Sequence, residues 1–256
     1  MEPLISGRRY IAFTVAYRGT RFCGSQIQAN GRTVQGDLEA AVARIFREPC
    51  RAILAGRTDS GVHATGQVAR IETQNLAFPV ERVARALNGV LERDVRVLEA
   101  WQVDEGFHPR FSAKSRIYQY RILVSRQPNP LLQEIAAPLG EELDVEAMQR
   151  ASLPLLGRKD FAAWQSAGSP APSTVREVKQ VKIWRSESFG SRLIEIEIEA
   201  DAFLYQMVRN IVGALIEAGR GQITSEDMRV LTEGLDRKLC PPPALPQGLC
   251  LVQVNY

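Results

Sequence analysis

VREVKQVKIWRSESFGSRLIEIEIEA, residues 175–200, carries the alternation that decides the fold. Residues 175–186 and 191–200 read as two strands about a short turn at Gly190. In the second, Ile194, Ile196 and Ile198 alternate with Glu195, Glu197 and Glu199. Strand side chains point to opposite faces in turn, so one face is apolar and the other wet. Such a strand belongs to an antiparallel sheet that carries helices on one side only.

The flanking segments extend this hairpin into a unit. Strand KSRIYQYRILV (114–124) and a helix near DVEAMQRASLPLL, capped by Asp144, precede it. A long helix, FLYQMVRNIVGALIEAG, closed by Gly219, a shorter one, TSEDMRVLTEGL, and strand LCLVQVNY follow. The first half repeats the order. RRYIAFTVAY (8–17) places Ile11, Phe13, Val15 and Tyr17 on one face, and Thr33 caps a helix with Val34, Leu38, Ala41, Val42, Ile45 and Phe46 inward. AILAG (52–56) and GQVARIET (66–73) are strands, a helix from Pro79 buries Val83, Leu87, Val90 and Leu91, and DVRVLEAWQV (94–103) closes the half.

Each half therefore reads strand, helix, strand, strand, helix, strand. The expected class is α/β (α+β): two ferredoxin-like βαββαβ units, giving one long surface or a cleft between them, with an open sheet face that can hold RNA. The expected domains are 1–105 and 106–256, joined near 104–113, with insertions at 126–142 and 164–174 and an extended connector at 239–248.

A chain of 256 residues buries a core without disulfides or metals. Cys23, Cys50, Cys240 and Cys250 form no CxxC pair and no ligand spacing with His63 or His108, which points to reduced thiols in a cytosol. MEPLISGRRY lacks an apolar leader and no run of about 18 apolar residues occurs, so a soluble intracellular protein is expected. Net charge is only +3, but five of 32 basic residues are Lys and the rest Arg. Arginine suits phosphate and stacks on bases, although Arg-favouring coding composition accounts equally well for the excess. Residues 1–36 hold Arg8, Arg9, Arg18, Arg21 and Arg32 against Glu2 alone, a local charge that attracts polyanions.

Three segments carry candidate chemistry. AGRTDSGVHATGQV (55–68) sets Asp59 between Gly56 and Gly61. A plain turn explains it, but the loop exceeds hairpin needs and gathers Arg57, Asp59 and His63, where an arginine keeps a carboxylate ionised. FHPRFSAKSRIYQYRI (107–122) interleaves Arg110, Lys114, Arg116 and Arg121 with Phe107, Phe111, Tyr118 and Tyr120. That mixture suits a polynucleotide, or a sheet core with a solvated back. In MVRNIVG (207–213), Arg209 lies off the apolar stripe of its helix, as a solvated arginine would.

With the final GLCLV, these segments closely resemble the bacterial tRNA pseudouridine synthase A (TruA) family, which acts on the anticodon stem and loop. The resemblance implies two α/β halves forming a joint antiparallel sheet with a central RNA-binding cleft, a homodimer, tRNA as partner through its anticodon arm (positions 38 to 40), a cytoplasmic location, and no membrane, metal or cofactor. It implies that Asp59 is the catalytic aspartate, Arg209 its basic partner, Tyr118 the tyrosine beside the target uridine, and Leu249 an apolar pocket wall. It implies that Arg57 binds RNA and displaces the base, and it leaves His63 as a brace for the loop.

Arg18 stands where relatives usually have Asp, Ser25 where they often have Trp, and Lys159 where they often have His. The alternatives are a relative with shifted site choice and a noncatalytic tRNA binder or folding helper. A structural protein that uses its sheet to bind another protein is poorly served by the basic first segment.

Overall fold

The computed structural model describes residues 7–125, 127, 129–168 and 171–256. Glu2 and the rest of residues 1–6 lie outside the described residues. The chain divides into two compact units, Met1–Lys114 with Leu251–Tyr256, and Ser115–Cys250.

In the first unit the order is β1 (Arg9–Tyr17), α1 (Val34–Phe46), β2 (Ile53–Leu54), β3 (His63–Thr73), α2 (Val83–Asn88) and β4 (Val95–Val103). β1 lies between β3 and β4, antiparallel to both, and β2 pairs antiparallel with β3. The order β4-β1-β3-β2 is that of a ferredoxin-like sheet. Ile11, Phe13, Val15 and Tyr17 are buried, as the alternation requires, and Thr33 caps α1 by accepting from the Gly36 amide. The final strand, β10 (Leu249–Asn255), lies beside β3, where Gly66 leaves room for its backbone: a Cβ there would overlap the Val252 carbonyl.

Two expectations change in this unit. β2 is two residues long, and β3 begins at His63 rather than residue 66, which shortens the intervening loop to 55–62. The helix expected from Pro79 is a 3-10 turn (Val80–Arg82) followed by the short α2. It stops at Asn88 because that side chain binds the Val97 amide and carbonyl at 2.8 and 2.7 Å, drawing the chain into β4.

The second unit runs β5 (Ser115–Leu123), β6 (Ala137–Pro138), α3 (Val145–Ser152), β7 (Gly157–Asp160), β8 (Val175–Ser188), β9 (Ser191–Ala200), α4 (Met207–Gly219) and α5 (Ser225–Gly234), then enters β10. Its sheet order is β5-β9-β8-β7, all antiparallel. The β8–β9 hairpin turns through Phe189 and Gly190, both at positive φ.

The glutamate face of β9 is a polar ladder rather than open water. Glu195 accepts from Gln119 and Ser186, Glu199 from Ser115, and Glu197 pairs with Lys182. β6 and β7 are strands the alternation did not announce, because two and four residues are too few to show a period. The 126–142 insertion also carries core: Leu132 and Ala136 pack with Leu123 and Leu193. α4 begins at Met207, not at Phe203, because Gln206 is left-handed at φ 58° and cannot continue a helix. Gly219 is its last helical residue, and the positive φ falls on Gly221.

Candidate active site

The 55–62 loop turns some of its side chains inward and others outward. Thr58 is buried, while Arg57 is exposed and Asp59 half-buried. The inward groups are held by buried side chains. The Gln67 amide accepts from the Gly56 N–H at 3.3 Å and donates to the Gly56 carbonyl at 2.9 Å. Ser25 treats Thr58 likewise: its Oγ accepts the Thr58 N–H at 2.8 Å, and its own amide donates to the Thr58 carbonyl at 3.0 Å. The Thr58 hydroxyl lies 2.8 Å from the Tyr17 hydroxyl. After Asp59 the chain reverses through a turn in which the Val62 amide donates to the Asp59 carbonyl at 3.1 Å, with Gly61 at φ 80°. Gly56 needs no positive φ, which of these two glycines only Gly61 adopts.

His63 is buried at the start of β3, where its Nδ1 accepts the Gly19 amide at 3.0 Å. It braces the neighbouring 18–25 segment, which Ser60 also meets through the Phe22 carbonyl at 3.1 Å. That segment is fixed from behind by Arg32. Its guanidinium lies over the Phe22 ring at 4.3 Å and donates to Asp94 at 2.7 and 2.8 Å and to Asp37 at 2.9 and 2.6 Å. Those bonds from Arg32, against the cost of burial, hold the Asp94 carboxyl below the usual carboxylate range. Arg18 is exposed, and its amide donates to the Asp94 carbonyl at 2.9 Å.

In the first unit the aromatic segment also forms a small surface. His108 stacks on Phe111 with ring centres 4.4 Å apart, the Arg110 guanidinium is 5.7 Å from the Phe111 ring, and Phe111 is 77% exposed. An exposed ring beside a guanidinium is a platform for a base. Phe107 instead packs on Tyr256.

The second unit holds Tyr118 on β5, Arg209 in the first turn of α4 and Leu249 at the start of β10. Tyr118 and Tyr120 share a face, and both are buried, Tyr120 the more deeply. It is 1% exposed, donates to the Leu245 carbonyl at 2.8 Å, and burial raises its pKa while the Arg209 charge pulls the other way. Tyr118, opposite Ile198, meets Phe203 edge-on at 5.1 Å. Arg209 is half-buried rather than fully solvated, and its Nε donates to the Ala244 carbonyl at 2.8 Å. The 239–248 connector thus links Arg209, through Ala244 and Leu245, to Tyr120. Gly248, against the Tyr120 ring, delivers the chain to buried Leu249.

Arg57 and Asp59 are therefore neighbours on one loop, while Arg209 and Tyr120 each bond to the same connector. The reading from sequence missed Tyr17, Thr58 and Gln67. A glutamine within the apolar run of β3 was the available signal, because a buried amide in a strand needs partners. Ser25 was noticed only as a departure. Among the described residues, no group of three or more His, Cys, Asp or Glu is placed to hold a metal ion, and no helix is long and apolar enough to cross a membrane.

The family model for tRNA pseudouridine synthase matches residues 13–112 and 151–256, which take in Arg57, Asp59, Arg209 and Leu249; Tyr118 falls between the matched stretches. The chain is 45% identical to tRNA pseudouridine synthase A of Roseiflexus castenholzii over 251 residues, covering 97% of this chain and 91% of that one. It is 42% identical to the protein of the same name in Halalkalibacterium halodurans, covering 93% and 89%. For the one in Acetivibrio thermocellus the identity is 40%, covering 97% and 100%. A family model matching both halves, and relatives this similar over nearly the whole length, make the chain a member of the tRNA pseudouridine synthase A family.

Proposed function

We propose that this chain converts uridine to pseudouridine in the anticodon stem and loop of tRNA, at positions 38 to 40, as a cytoplasmic homodimer. The observation that carries the reading is the family match, which includes the whole Asp59 loop. The Arg-rich composition and the Arg110–Phe111 platform support an RNA substrate. The four free cysteines agree with a reducing compartment.

The reaction breaks the bond between ribose C1′ and uracil N1, turns the base, and joins C1′ to C5. The proton on C5 leaves and N1 gains one, so no water is added and no electron acceptor is needed. The Asp59 carboxylate is the reacting group, attacking C1′ or taking a proton from the ribose. By the family pattern Arg209 is the basic residue of the catalytic set, Tyr118 stacks on the base once it leaves the helix stack, and Leu249 excludes water. Arg57, exposed on the same loop, takes a phosphate.

Pseudouridines mapped at nucleotide resolution in total tRNA, from cells with and without this protein, test the reading. Loss of the anticodon-arm sites alone is expected. Loss elsewhere points to shifted site choice. An unchanged map, with tRNA binding intact, leaves a noncatalytic helper.

A further inference from the structure

We propose that Ser25 and Gln67 are positioning residues that aim the Asp59 carboxylate by clamping the backbone on both sides of Arg57; the assignment rests on the proposed synthase activity. Gly56 and Thr58 are each gripped at both N–H and C=O, one by the Gln67 amide and the other by Ser25. Rotating either peptide would leave buried polar groups unpaired, so the segment has one orientation, with buried Thr58 between exposed Arg57 and half-buried Asp59.

Both clamping side chains are completely buried, and a hydroxyl and an amide occupy such places only when their bonds are made. The clamps are tied to rigid elements. Gln67 lies on β3, and the Ser25 carbonyl accepts the Gln35 amide in the first turn of α1 at 2.9 Å. Tyr17 on β1 closes the network, its hydroxyl within 3.4 Å of the Gln67 amide nitrogen and 2.8 Å of the Thr58 hydroxyl. Position 25 suits a small side chain with a hydroxyl: Gly24, at φ 89°, already brings the backbone so close that a Cβ there would lie 2.9 Å from the Thr58 carbonyl oxygen.

Steady-state kinetics on a tRNA transcript, with melting curves, are measured for the full chain and for Ser25→Ala, Ser25→Thr and Gln67→Met. Misaiming the carboxylate lowers kcat about tenfold to a hundredfold in Ser25→Ala and Gln67→Met and leaves KM within about twofold. Ser25→Thr, which keeps the hydroxyl, recovers most of that loss. The proposal is overturned if kcat per folded molecule stays within about twofold of the parent, or if KM alone rises, since the clamp would then serve only stability or RNA binding. If Ser25→Ala does not fold, Gln67→Met decides, and if neither folds, Tyr17→Phe, which removes a single hydroxyl, is read the same way. A parent that makes no pseudouridine defeats the activity itself, an outcome distinct from failure of the clamp.

Discussion

Arg209 and Ala244 hold each other at two points: the Arg209 Nε–H donates to the Ala244 carbonyl at 2.8 Å, and the Ala244 amide donates to the Arg209 carbonyl at 2.9 Å. The first bond orients the guanidinium, while the second ties α4 to the connector whatever the side chain is. Arg209→Lys keeps the charge but loses the planar fork. It should lower kcat about a hundredfold while the melting temperature stays near the parent's, because only one of the two bonds is lost. Single-turnover rates with calorimetry check this.

Arg57 and Asp59 project from the same stretch, one exposed and one half-buried, and their substitutions should separate binding from chemistry. Asp59→Ala should abolish pseudouridine formation with RNA affinity within about threefold, since a small carboxylate contributes little to phosphate contact. Arg57→Ala should weaken RNA binding and reduce the slope of log affinity against log salt by about one. Binding titrations at several salt concentrations, alongside product assays, distinguish the two.

Two glycines should respond oppositely to an added methyl. In Gly248→Ala the new carbon would lie 2.6 Å from the Tyr120 ring and 2.8 Å from the Arg121 carbonyl, and the expected cost is about 1–3 kcal/mol. Gly234, the last residue of α5, has nothing within 4 Å, so Gly234→Ala should be neutral or stabilise by up to about 1 kcal/mol. Urea unfolding of both variants is the measurement.

The Asp94 carboxyl is 3% exposed and bonded twice by Arg32. Its pKa is lower in the folded state than in the unfolded chain, so the stability it adds is fully present above about pH 4 and is lost as pH falls through the folded value. Asp94→Asn should cost about 3 kcal/mol at neutral pH. The deficit relative to the parent should shrink toward acid, as the parent loses what the variant already lacks. Unfolding midpoints across the acid range test the sign.

Burial, helped by the nearby Glu48 charge, pushes the Cys50 thiol up to about 11, whereas Cys23 is exposed. A thiolate-selective alkylating agent at neutral pH should therefore label Cys23 and spare Cys50, Cys240 and Cys250, all of which are buried. Mass spectrometry of the labelled chain reads the order directly.

The paired halves were legible because their helices and long strands are set by period: β1, β9 and α1 show it residue by residue. What escaped was set by a few contacts at a distance. Asn88 ends α2 by reaching Val97, Gln206 delays α4 by one left-handed residue, and β7 gains its place from pairing with β8. At the site, the motif around Asp59 was visible, but its support was not, because Ser25, Tyr17 and Gln67 come from three separate parts of the chain. Only the fold shows that Ser25 is the acceptor for the Thr58 amide.

The last strand gives the molecule an order of assembly. Leu251–Asn255 belong to the unit built from the first 114 residues, yet they are translated after the whole of the other one. On the ribosome the edge of β3 beside Gly66 must wait unpaired through the synthesis of more than a hundred residues. The unit built from the first 114 residues is thus completed only by β10, and a chain cut before Leu249 would lack the strand that covers this edge.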